Sequence, residues 1–120
     1  MGGVGACAYA RNFTENIVGV VLWASYPTDV FRIDDKELAV ISIYGTKDGL
    51  ATVDEDIEPS AEHLPPDTQW APIEGGNHTQ FGWYDTSPDP LQPGDNPADI
   101  TREEQQAIII SETLDFLSQF

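Results

Sequence analysis

Residues 39–51 read AVISIYGTKDGLA, and the two parts of that stretch follow different rules. Ala39 to Gly45 is a near-continuous apolar, β-branched run, the pattern of a strand covered on both faces, as strands of a parallel sheet are. The turn GTKDGL then follows, with glycines at 45 and 49 bracketing an acid. Ligands in α/β sheets gather beyond the carboxyl ends of the strands. The stretch therefore predicts a buried parallel strand and places Asp48 just past its end.

Working outward, IVGVVLWA (Ile17 to Ala24) is a second run of the same kind, separated from the first by a polar link containing Pro27. TQWAPIE (Thr68 to Glu74) is a third strand, and Pro72, which has no N–H to give a ladder, assigns it to an edge. Between the second and third strands, Leu50, Val53, Ile57 and Leu64 fall at roughly helical spacing in an acidic segment that Pro59 limits or kinks. Residues 2–11 are small and Ala-rich, predicting a helix whose glycines weaken its propensity but permit close packing on a sheet. Thr101 and Glu104 have capping-box spacing, and Ile108, Ile109, Thr113, Leu114 and Leu117 predict an apolar helical face running to Phe120.

The order helix, strand, strand, helix, strand, long loop, helix predicts an α/β fold with three parallel strands flanked by helices and right-handed crossovers. The whole chain, 1–120, reads as a single partial domain. The loop GGNHTQFGWYDTSPDPLQPGDNPAD at 75–99 is too long for a simple connection, which marks it as functional or mobile.

Twenty-one acidic residues against five Lys plus Arg give a formal charge of −16. That balance disfavours nucleic acid and anionic membranes as partners. The acids are spread along the chain rather than gathered in a tail, and so read as a solvated, salt-adapted surface of halophilic type. No apolar run approaches the length of a membrane span, and the opening MGGVGACAYA lacks the regions of a secretory signal. Ala6 stands where N-myristoylation requires Ser or Thr. The expectation is a soluble, cytoplasmic chain. Cys7, the one cysteine, excludes an intrachain disulfide and reads as a packed residue. No metal-binding spacing occurs, and DNPAD at 95–99 departs from the calcium-loop pattern. Neither a metal nor another cofactor is expected.

Two titratable groups follow strand ends, Asp48 in GTKDGL and His78 in GGNHTQFG. An aspartate that accepts a hydrogen bond from a histidine Nδ1 fixes the ring's tautomer and makes it a competent general base. His63, just before Pro65 and Pro66, has a blander context. Serines stand at 25, 42, 60, 87, 111 and 118, and none lies in G-x-S-x-G. Trp23, Tyr26, Phe81 and Trp83 are candidates to line a pocket, although core packing suits Trp23 equally.

VVLWASYP, SIYGTKDGLAT, IEGGNHTQFG and ITREEQQ, taken with Asp before His, resemble the C-terminal half of the α/β-hydrolase superfamily. More narrowly, they resemble its bacterial and archaeal serine hydrolases with dienelactone-hydrolase-like members. The resemblance implies the C-terminal part of an eight-stranded sheet and a Ser, Asp, His triad acting on ester-like small molecules. Asp48 matches the triad acid and His78 the base. The family's elbow, Gly-His-Ser-x-Gly-Gly, aligns its last three positions with Met1, Gly2 and Gly3. The serine then falls one residue before the start, and Met1 takes the oxyanion-hole position. On this reading the chain carries acid and base and is inert alone. The alternatives are a non-catalytic binding or interaction module, a half of a split hydrolase that docks an N-terminal half or a second copy through its exposed first strand, and a truncated or mis-started gene.

Overall fold

The computed structural model describes residues 1–83 and 91–120. The central sheet has three strands, β1 (Gly19–Trp23), β2 (Ala39–Gly45) and β3 (Gln69–Ile73). All are parallel, in the order β1-β2-β3. Helix α1 (Gly2–Asn12) precedes the sheet and α2 (Arg102–Leu117) follows it.

The strands alternate as pleated strands must. Val20, Leu22 and Val40 pack on one face with Cys7 and Ala10 of α1 and with Leu38 and Leu64. Ile41, Ile43 and Ile73 pack on the other with Ile109 and Phe116 of α2. Each such aliphatic chain, once fully buried, contributes about 1.5–3 kcal/mol. β2 is central and buried on both faces, as its run of Ile and Val requires. β3 is an edge, and Pro72 sits in it opposite Tyr44.

The expectation that Ile17–Ala24 is buried on both faces is corrected. β1 lies at the other edge, and α2, which packs mainly on β2 and β3, covers its second face only in part: Val21 packs against the cluster of Ile109 and Phe116 but stays half-buried. Val20 and Leu22 are buried beneath α1, while Trp23 is half-exposed and donates a hydrogen bond from Nε1 to Thr113 Oγ1 of α2 at 3.2 Å.

The acidic segment is also not a continuous helix. It forms a π-turn at Val53–Ile57, capped by the Thr52 side chain, and a separate 3-10 turn at Pro59–His63. Pro59 has no N–H with which to continue the first turn, so the hydrogen-bond pattern restarts there. Ile57 and Leu64 are buried as their spacing suggests, but Leu50 is not.

In α2 the capping box between Thr101 and Glu104 forms as its spacing predicts. Its buried face matches the expected one only at Ile109. Gln105, Ile109 and Phe116 point inward, whereas Ile108, Leu114 and Leu117 are exposed, and the helix stops at Leu117. Among the described residues no helix is long and apolar enough to cross a membrane. The expected loop contains a short 3-10 turn at Thr79–Phe81, and its 84–90 portion lies outside the described residues.

Candidate active site

Because β2 and β3 are parallel neighbours, the turns that follow them emerge side by side at the carboxyl end of the sheet. The β2 turn is tied to the β3 turn by Lys47 N–H donating to Gly76 O at 2.8 Å and by Gly75 N–H donating to Thr46 Oγ1 at 2.9 Å. Gly75 adopts φ +78°, a left-handed conformation that glycine takes without a Cβ penalty, and this turns the chain sharply ahead of His78. The two turns are thereby close enough for their side chains to meet.

Asp48 and His78, thirty residues apart in sequence, are brought together: His78 Nδ1 and Asp48 Oδ2 are 2.8 Å apart. The Asp48 side chain is fully buried. Its other oxygen accepts from the Leu50 and Ala51 amides at 2.8 and 2.7 Å. An ionised carboxylate can only accept, so Nδ1 carries the proton, and in the neutral ring Nε2 is left with a free lone pair. The Asp48 hydrogen bond raises the His78 pKa from its ordinary value. Burial of the ring opposes that shift, and the negative charges of Asp48 and Asp95 add to it.

The His78 turn is fastened to α2. Gln105, fully buried, accepts from Asn77 N–H through Oε1 at 3.1 Å and donates from Nε2 to Asn77 O at 2.8 Å. That explains why a glutamine occupies the inner face of α2: a buried amide is tolerated when its donor and acceptor are both used. Gln80 Nε2 also donates to Gln105 Oε1, and Gln106 donates to Gln80 O, both at 2.8 Å.

A second carboxylate lies among the same turns. Asp95 is buried and takes Gly49 N–H on Oδ1 at 2.9 Å, with Thr79 N–H and Thr79 Oγ1 on Oδ2 at 2.8 and 2.7 Å. Burial pushes its pKa up, but the hydrogen bonds from Gly49 and Thr79 outweigh burial and hold it below the ordinary carboxylate value. In the sequence this acid belongs to a long loop and to the acidic surface, and the DNPAD stretch that it opens departs from the calcium-loop pattern. The sole local signal for a bridging acid was an aspartate following a Pro-Gly turn in an otherwise irregular segment.

His78 borders two hollows. One, of about 400 Å³, is lined by Met1, Trp23, Ala24, Ser25 and Phe81 as well as His78. The other, of about 220 Å³, shares Met1, Ala24, Ser25 and His78 and extends to Tyr26 and Leu50. Met1 and His78 line both hollows. Trp23, Phe81 and Tyr26 line these hollows; Trp83 instead lies 5.3 Å from the Arg102 guanidinium. Ala24 has φ +47°, a conformation uncommon for a residue with a Cβ, at the end of β1 where the hollows meet. Among the described residues no serine hydroxyl is hydrogen-bonded to His78, and Ser25 is the serine that lines the hollows with it.

His63, the other histidine, lies in the Pro59–His63 turn and takes no part in this arrangement. Cys7 is wholly buried under the sheet, and burial pushes its thiol up to about 11.

A family model described as the alpha/beta hydrolase family matches residues 1–107. No curated protein and no solved structure matches the chain.

Proposed function

The chain belongs to the alpha/beta hydrolase family, and from that membership we propose that it supplies the acid and the general base of an acyl hydrolase acting on carboxylic esters or related small acyl compounds. The observation that carries this reading is the 2.8 Å contact between His78 Nδ1 and a fully buried Asp48, which leaves Nε2 directed to proton transfer. The nucleophile is a serine at the elbow leading into α1, the position immediately before Met1, as in dienelactone-hydrolase-like serine hydrolases. His78 Nε2 removes its proton as the hydroxyl attacks the carbonyl, then returns a proton to the leaving alcohol. The amide that follows the serine, at residue 1, helps hold the oxyanion. The two hollows that meet at His78 suit the acyl and alcohol sides of an ester.

The test compares the 120-residue chain with a form extended by Gly-His-Ser, both incubated with p-nitrophenyl acetate and a fluorophosphonate probe. The extended form should hydrolyse the ester and be labelled on the added serine; the short chain should do neither. Labelling of Ser25 would move the nucleophile into this chain, and an extended, folded but inert form would overturn the hydrolase reading.

A further inference from the structure

Asp48 and His78 sit on separate turns, and a single hydrogen bond links their side chains. Two consecutive residues of the 91–100 segment reach both turns at once. Asp95 accepts from Gly49, the residue after the acid, and from Thr79, the residue after the base. Asn96 donates from Nδ2 to the carbonyl of Lys47, the residue before the acid, at 3.1 Å. Its own carbonyl accepts from Nδ2 of Asn77, the residue before the base, at 2.8 Å. The dyad is bracketed on both sides, with Asp95 joining the following residues and Asn96 the preceding ones. Room for the bridge exists because residue 49 is glycine: a Cβ there would lie 2.5 Å from Gly94 O.

We infer that Asp95 and Asn96 are positioning residues, which hold the two turns at the spacing that keeps His78 Nδ1 on Asp48. Neither touches the histidine ring by hydrogen bond; they act through the backbone and side chains of the four residues that flank the pair. The role rests on the reading of Asp48 and His78 as acid and base. Charge-assisted hydrogen bonds from buried donors are the stronger kind, which suits Asp95 to the larger share. Asn96, exposed and uncharged, contributes the smaller. A displacement of about 1 Å between catalytic groups costs up to roughly 100-fold in rate, so a bridge of this kind acts on kcat more than on KM.

The first readout needs no substrate. A histidine bonded to a carboxylate through Nδ1 gives a far-downfield proton in the NMR spectrum, visible while the hydrogen bond protects it from exchange. Asp95→Asn keeps the side-chain volume but leaves one acceptor oxygen for donors on two turns, and it should broaden or abolish that signal while the amide spectrum of the sheet stays native. Asn96→Ala alters no charge, lies on the surface, and should speed exchange of the same proton by a smaller factor. Asp54→Asn, which removes one charge from an exposed site, controls for the field and should leave the signal as it is.

In the ester-hydrolysing form, Asp95→Asn should lower kcat on the order of 10- to 100-fold with KM within about twofold. Native-like exchange of the Nδ1 proton in both folded Asp95→Asn and Asn96→Ala would overturn the inference. If Asp95→Asn does not fold, Asn96→Ala decides alone. Absence of hydrolysis in every form, with the proton still sensitive to both substitutions, would discard the acyl-hydrolase reading and leave the bridge standing.

Discussion

The two histidines of the chain both have carboxylates for neighbours, yet the turns around them are built differently. At His63, Nε2 lies 3.2 Å from Glu62 and 3.7 Å from Asp29, two exposed acids, while the buried Nδ1 has no hydrogen-bond partner among the described residues. At His78 one acid among the described residues is within ion-pair distance. It is fully buried and its second oxygen is held by two backbone amides. Exposed ion pairs contribute about 0–1 kcal/mol and fix no geometry. An acceptor that is itself immobilised sets the tautomer and direction of the ring. The number of charges near a histidine therefore says less about its chemistry than how firmly one of them is held.

Removing each ring is the bluntest way to break that contrast. In the ester-hydrolysing form His78→Ala should lower kcat by ~10⁴ or more, while His63→Ala should stay within about twofold; comparable losses from the two would erase the distinction. Next in size is Asp48→Asn, which preserves shape but gives up the charge and permits the wrong tautomer, with an expected loss on the order of 10³- to 10⁴-fold. Retention of more than a tenth of the activity would mean that the buried carboxylate does not govern the ring.

The smallest effect sharpens the comparison through pH. The Asp48 hydrogen bond raises the His78 pKa against the opposing effect of burial, so hydrolysis, which needs the neutral ring, should climb through a midpoint above the ordinary value of about 6.5. For stability the sign is opposite: the charged His78–Asp48 pair stabilises the fold fully below the ordinary histidine pKa, and that contribution is lost as pH rises through the elevated one. An NMR titration of the two imidazoles reads the midpoint directly. A His78 value at or below the ordinary one would contradict the arrangement.

Parts of this molecule were legible in its sequence for definite reasons. β2 occupies Ala39–Gly45 because a doubly covered strand needs an unbroken apolar run, and the start of α2 follows from the reciprocal Thr101 and Glu104 cap. Asp48 and His78 could be singled out because each follows a strand whose end is marked by glycine, and parallel neighbours bring such turns together. The inner face of α2 was not legible. A buried Gln105 looks polar in one dimension, and its burial makes sense only once Asn77 stands opposite it with a free donor and acceptor. The bridge from Asp95 and Asn96 escaped for the same reason, since its partners lie near 48 and 78 in space but not along the chain. β1 was read as covered on both faces because apolar content does not reveal how far across a sheet one helix extends.

Cys7 gives the α1 face a clock. It is wholly enclosed between α1 and the sheet, and a thiol held near 11 is almost entirely protonated at neutral pH. A thiol-directed reagent must then wait for the helix to lift away, so the rate of its capture at saturating reagent reports how often that face opens. With a single thiol in the chain, the protein carries its own reporter of breathing, on the opposite side of the sheet from the helix that fastens His78.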